Sequence, residues 1–173
     1  MNLKNTGIDF DINQPTPYFQ VMDERRVRFG MGEISLEDGK RVIGEVFEQD
    51  DAIDMTVLSS YVKGKKYISA KTTIGKWFSI KNWTETIVFN EDDYTGFVFA
   101  TIRNLDRREV ERYVAAIRQG ARGAYIAFYT DDRLLYVSTD VLDIVSPDCG
   151  FIRKMKSTFE DGYNKFHEET SIR

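Results

Sequence analysis

The sequence predicts one domain over residues 1–173, of mixed α+β (α/β) class, with a central mixed β-sheet flanked by about three helices. Three observations lead there. At 173 residues the chain is long enough for one sizeable core and short for two. Apolar stripes at helical spacing recur near 35–49, 105–119 and from 147 onward, while the runs between them alternate or are continuously apolar, as strands are. A strand, a helix and a strand in succession after Gly96 then favour a sheet with both strand orientations.

Composition narrows the class. Hydrophobic residues make up 42% of the chain and charged residues 30%, the balance of a folded, soluble protein. The single cysteine, Cys149, excludes an internal disulfide and fits a reducing compartment. The opening residues lack the apolar core of a signal peptide, and no run approaches the roughly 18 apolar residues of a membrane span. A cytoplasmic location without a membrane partner is therefore expected.

Residues 1–34 read as an extension of strand and turn. Ile8, Phe10 and Ile12 alternate with Asp9 and Asp11, the period of a half-buried strand; the two aspartates are either metal ligands or its outward face. Pro15-Thr16-Pro17 interrupts it, and 18–22 and 26–31 read as further extended pieces around Asp23-Glu24-Arg25. Ser35 then caps a helix, with Leu36, Ile43, Val46 and Phe47 on one arc, Val42 at its edge and Glu45 just beyond. Strands follow at 54–62 and 66–73, with Lys63-Gly64 as a two-residue turn. That turn sets Thr56 opposite Lys71 and Leu58 opposite Ser69, so Asp54, Ser69 and Lys71 share a face.

Strands at 84–89 and 96–102 flank the acidic turn Asn90-Glu91-Asp92-Asp93, whose spacing is not that of an EF-hand. The nearly continuous apolar run from Gly96 suggests a strand covered on both faces. In the helix at 105–119, Leu105, Val110, Tyr113, Val114 and Ile117 form the stripe, Asn104 or Asp106 the cap, and Gly120 the stop. A hairpin at 125–129 and 134–137 turns at Asp131-Asp132. Ser146-Pro147 opens a C-terminal helix over 147–173, with Ile152, Met155, Phe159, Tyr163 and Phe166 on one stripe that either packs on the sheet or joins a homodimer or partner. No glycine-rich phosphate loop, paired cysteine or His-x-x-x-His spacing is present, which argues against nucleotide-triphosphate hydrolysis and structural zinc.

One constellation suggests a chemistry. Gly44-Glu45 on a helix, Asp54 on a strand and Ile68-Ser69-Ala70-Lys71-Thr72 at the end of the next, followed by Lys76-Trp77-Phe78-Ser79-Ile80, resemble the order in restriction-endonuclease-like, PD-(D/E)XK, nucleases. The resemblance extends over residues 40–138. It implies a phosphodiester hydrolase in which Asp54, with Glu45 or Glu85, holds Mg2+ or Mn2+ while Lys71 assists the attacking water. Ser69 stands where the motif's second acid falls, which is why Glu45 or Glu85 would have to supply it.

Charge is unevenly spread. The chain carries −4, yet residues 55–84 contain six lysines and no acid, leaving −10 elsewhere. Lys63, Lys65, Lys66, Lys71, Lys76 and Lys81 are interleaved with Tyr61, Tyr67, Trp77, Phe78 and Trp83, a pattern that suits either a nucleic-acid backbone with stacked bases or ordinary strand alternation. Three expectations follow: a small metal-dependent nuclease; a nuclease-derived protein that only binds nucleic acid; or an acidic interaction protein of inhibitor, immunity or anti-defence type, with a protein partner and no catalysis.

Overall fold

The computed structural model describes residues 2–49, 51–90, 92–93 and 95–168. Their elements, in chain order, are β1 (Arg26–Gly30), α1 (Leu36–Val46), β2 (Ile53–Lys63), β3 (Lys66–Ser69), β4 (Thr84–Phe89), β5 (Gly96–Leu105), α2 (Arg107–Arg118), β6 (Ile126–Tyr129), β7 (Leu134–Val137), β8 (Val141–Val145) and α3 (Cys149–Thr158). The strands make one sheet in the order β1-β8-β7-β6-β2-β5-β4, with β3 also paired to β2. The class is mixed α+β in one domain, as expected. Every ladder is antiparallel, however, so the expected mixture of strand orientations is corrected. β5 and β6, joined through α2, do run parallel to each other, but β2 lies between them and is antiparallel to both.

The helices start where local chemistry tells them to. The Ser35 hydroxyl accepts the Asp38 N–H at 2.9 Å and donates to the Asp38 carboxylate at 2.8 Å, opening α1. Asp106 and Glu109 complete a reciprocal capping box on α2. α3 is shorter than expected and is capped by Asp148, which accepts from the Gly150 and Phe151 N–H groups. Ser146 is committed elsewhere, donating to the Asp132 carbonyl at 2.9 Å. Tyr163 and Phe166 fall beyond the helix end, Phe166 being 84% exposed, and 169–173 lie outside the described residues.

All three helices pack on one face. Val42, Ile43 and Val46 from α1, Val110, Tyr113, Val114 and Ile117 from α2, and Phe151, Ile152 and Met155 from α3 meet Phe29, Met55, Ile102, Phe128, Leu135 and Ile144 of the sheet. Leu36, expected on the buried arc, is 42% exposed because it sits in the first turn, at the margin of the contact. Full burial of each such side chain contributes about 1.5–3 kcal/mol.

The N-terminal segment covers the other face. Leu3 and Ile8 pack with Ala127, Tyr129, Leu134, Tyr136 and Val145. The alternation at Ile8, Phe10 and Ile12 makes no strand; residues 2 and 9 form only an isolated bridge, and 17–20 is a 3-10 turn rather than extended chain. Pro17 opens that turn, at a position where its missing N–H and fixed φ are tolerated.

β8, unread in the sequence, brings a buried ion pair. Asp143 is fully buried and accepts from Arg28 Nε at 2.6 Å and Nη2 at 2.8 Å, while the guanidinium lies 4.1 Å from the Tyr18 ring centre. Burial pushes the Asp143 carboxyl up, and Arg28 opposes that rise. Asp143→Ala is expected to lower stability by about 3–5 kcal/mol, because it strands the guanidinium. Joint replacement by Arg28→Met and Asp143→Leu should recover most of that loss in urea denaturation.

Tyr113 gives a second stability handle. Its hydroxyl donates to the Ala124 carbonyl and accepts the Ala124 N–H, both at 2.9 Å, and burial pushes the phenol up to about 12. An unfolded tyrosine ionises near 10. The raised folded value therefore contributes stability that is fully present below pH of about 10 and lost as pH rises through about 12, roughly 3 kcal/mol in all. Tyr113→Phe should flatten that part of the alkaline stability profile.

Candidate functional site

β2 and β3 form a hairpin whose register decides what can meet. Lys63 pairs with Lys66 and Ser60 with Ser69, so the two-residue turn is Gly64-Lys65, not Lys63-Gly64. Gly64 takes the left-handed conformation there, at φ 59°. The expected pairing of Leu58 with Ser69 is thus displaced by two residues, and the extra residue of β2 at Ser59 turns Ser69 to the helix-bearing face while Asp54 faces the N-terminal segment, so the expected shared face is not formed. The Ala70 N–H still reaches the Ser59 carbonyl, at 2.9 Å. Beyond that point β6 occupies the same edge of β2, with Ile126 on Val57 and Tyr129 on Asp54. The strand expected to run to Thr73 therefore ends at Ser69, and Lys71 leaves at φ 53°.

Lys71 and Asp54 are accordingly not brought to neighbouring positions. Continued in register, Lys71 would stand level with Leu58, four residues or about 13 Å of strand from Asp54. Asp54 is 7% exposed and engaged: its carboxylate lies 3.4 Å from Lys4 Nζ and accepts the Asn104 N–H at 3.4 Å. Lys4 also pairs with Asp131 at 3.2 Å. Glu45 is on the rim of α1, bound to Lys154 of α3 at 2.6 Å. Glu85 is on β4, accepting from Trp83 Nε1 at 2.9 Å and from the Tyr67 hydroxyl at 3.2 Å. Each of the three acids thus has its own partners on a different element. Among the described residues, no group of three or more His, Cys, Asp or Glu side chains is placed to hold a metal ion.

The basic segment is better assembled. Lys63, Lys65 and Lys66 crowd the exposed hairpin tip, two of them directly opposite each other. Directly opposed like charges are unfavourable in a ladder. Lys71, Lys76 and Lys81 are exposed along the connection from β3 to β4, which is anchored by buried Ile74 and Phe78. Phe78 meets the Tyr113 and Phe128 rings at 5.3 and 5.6 Å, and Trp77 packs partly buried against the same core. Trp77 is therefore a core residue more than a surface ring.

Other rings supply the surface that sequence alternation left undecided. Val62, Tyr67, Ile87 and Phe89 lie on the helix-bearing face of the sheet, beyond the helices. Tyr67, Ile87 and Phe89 are 58%, 48% and 56% exposed. Gly96 lies beneath them: a Cβ there would stand 3.2 Å from atoms of Val62, Ile87 and Phe89 alike. The hydrogen bond from Tyr67 on β3 to Glu85 on β4 crosses two intervening strands, a reach that a flat sheet at about 4.8 Å per strand does not allow. The sheet end is curled, and Glu85 holds the Tyr67 and Trp83 rings within the curl.

The acidic turn closes on itself. Asn90 accepts the Asp92 N–H at 2.7 Å and Asp93 accepts the Thr95 N–H at 3.0 Å. That bond holds the Asp93 carboxyl below its ordinary value, with a smaller contribution from Lys63. Glu91 lies outside the described residues. No helix among the described residues is long and apolar enough to cross a membrane.

The position of Asp54 gives it a structural task, tying the N-terminal segment to β2 through Lys4. Lys4→Met is expected to cost about 1–3 kcal/mol by leaving that carboxylate short of a partner. Adding Asp54→Asn should recover much of the loss, and the coupling is read from a double-mutant cycle. Searched against known proteins, the chain matches no protein-family model, no curated protein and no solved structure.

Proposed function

We propose that this protein binds single-stranded nucleic acid through the curled end of its sheet. The observation that carries the reading is the crowding of Lys63, Lys65 and Lys66 at one exposed hairpin tip. Mutual repulsion makes that arrangement costly in isolation, and a polyanion relieves it. The rings of Tyr67 and Phe89 near the tip, and that of Trp83 at the other end of β4, linked to Tyr67 through Glu85, supply flat apolar surfaces for unstacked bases, which duplex DNA does not offer. Arginine-to-base readout has no counterpart here, since residues 55–84 contain no arginine, so recognition is of backbone and ring rather than sequence.

Hydrolysis through Asp54 and Lys71 receives no such support from their separation. Binding is therefore the first activity to measure, with labelled single-stranded DNA and RNA and a duplex across a salt series. Replacing Lys63, Lys65 and Lys66 together by Gln should weaken binding and reduce the salt slope by about 2, at roughly 0.7 for each phosphate no longer neutralised. Trp83→Ala should cost about 1–3 kcal/mol of affinity. Binding indifferent to salt sinks the proposal. The same samples held in Mg2+ or Mn2+ test the nuclease reading: cleavage abolished by Lys71→Ala would reinstate it.

A protein partner is the second reading. It is favoured by an apolar groove of about 180 Å3 on the opposite face, where Phe10, Leu58, Phe99, Tyr125 and Tyr136 meet and Tyr125 is 62% exposed. A complex that survives high salt and is lost in Tyr125→Asp would identify this groove as the working surface.

A further inference from the structure

The outer edge of β4, which adjoins the rings of the proposed nucleic-acid surface, points to self-association that needs no nucleic acid. We propose that two copies of this chain pair β4 to β4 in antiparallel fashion, about a two-fold axis passing through Ile87.

The direction of the backbone groups comes from the hairpin. The Asn90 N–H donates to the Thr95 carbonyl at 2.9 Å, continuing the register in which Thr84, Thr86 and Val88 face Thr101, Phe99 and Phe97. Backbone groups alternate along a strand, so Glu85, Ile87 and Phe89 present their N–H and C=O groups outward. β4 ends the strand order, and the Thr84–Phe89 run has neither the lysine nor the proline that commonly blunts an edge. At one end, Asn13 Nδ2 donates to the Phe89 carbonyl at 3.1 Å, which leaves that oxygen a second lone pair.

The sequence around β4 is self-complementary. An antiparallel two-fold ladder that uses the outward groups sets Ile87 against Ile87 and Glu85 against Phe89. It also brings Lys81 of each copy towards Asp92 and Asp93 of the other. One end of β4 carries exposed Lys81 and Arg103, and the other carries exposed Asp92 and Asp93, with Lys63 close to Asp93. Reversed, the strands would set like charges together. The two Ile87 side chains, each 48% exposed in the single chain, meet at the axis and join the two apolar strips into one. A closed two-fold contact consumes both edges and stops there, which an open edge otherwise does not guarantee.

The test is the mass of the full chain in solution across a concentration series, by light scattering on a sizing column. The expected result is about twice the 20.1 kDa chain mass, falling towards the single mass on dilution. Ile87→Pro removes an N–H that β5 does not use, so it should leave the fold intact by circular dichroism and give the single mass. Should Ile87→Pro fail to fold, charge variants decide. Lys81→Asp alone and Asp92→Lys alone should each weaken the dimer, and an equal mixture of the two should restore it, because each then faces an opposite charge. A wild-type mass equal to one chain at every concentration overturns the proposal. So does a dimer that folded Ile87→Pro, or the charge variants singly and mixed, leave unchanged.

Discussion

One edge of β2 has to serve two strands, and the rest of the molecule is arranged around that competition. β5 takes the whole of the other edge, from Ile53 to Val62, apart from irregularities near Asp54 and Ser59. On the contested edge β6 holds Asp54 to Val57 and β3 holds Ser60 to Lys63. The two run in the same direction along one track, so β6 lies where a longer β3 would have gone. The irregularity between Leu58 and Ser60 marks the join: Ser59 is the extra residue against β5, and its hydroxyl donates to the Val98 carbonyl at 3.0 Å. On the β6 side the sheet is sandwiched between helices and the N-terminal segment. On the β3 side it is free to curl and carries the lysines and exposed rings.

That division also explains which parts were legible in sequence. Local signals were readable: the Ser35 cap, the Val110, Tyr113, Val114 and Ile117 stripe, the left-handed Gly120, and the strands on either side of the acidic turn all stand where their chemistry put them. What failed was the long-range part. Nothing in residues 66–73 announces that Ile126 will claim the edge opposite Val57, since that depends on a strand more than fifty residues later. The expected face shared by Asp54, Ser69 and Lys71 presupposed an unoccupied edge and a β2 without the extra residue at Ser59. β8 was legible in principle, because Val141, Leu142, Ile144 and Val145 bracket a single Asp143, but a buried aspartate reads as a turn until Arg28 is seen beside it.

The same competition redistributes the acids. Asp54 faces the N-terminal segment, in a row that register sets across Tyr129, Leu134, Val145 and Arg26. The adjoining row runs through Thr56, Ala127, Tyr136, Asp143 and Arg28. Burying carboxylates in these rows is costly unless a cation is supplied, and Lys4 and Arg28 supply one each. The N-terminal segment therefore does more than cover apolar surface, since it carries one of the countercharges. Glu85 lies on the opposite face, hydrogen-bonded to two ring donors. These acids are held apart by the sheet itself.

The path of the chain after β3 can be weighed energetically. Lys71 and Thr73 both adopt left-handed conformations, at φ 53° and 55°, which for non-glycine residues cost about 1–2 kcal/mol each. Soon afterwards the chain buries Ile74, and then Phe78 between Tyr113 and Phe128. Burial of two such side chains contributes about 3–6 kcal/mol, enough to offset the strain. The turn away from the sheet is thus set by the demand of the core for Ile74 and Phe78, and the position of Lys71 is a consequence of it. A lysine placed by that demand is exposed on the same connection that carries the exposed Lys76 and Lys81.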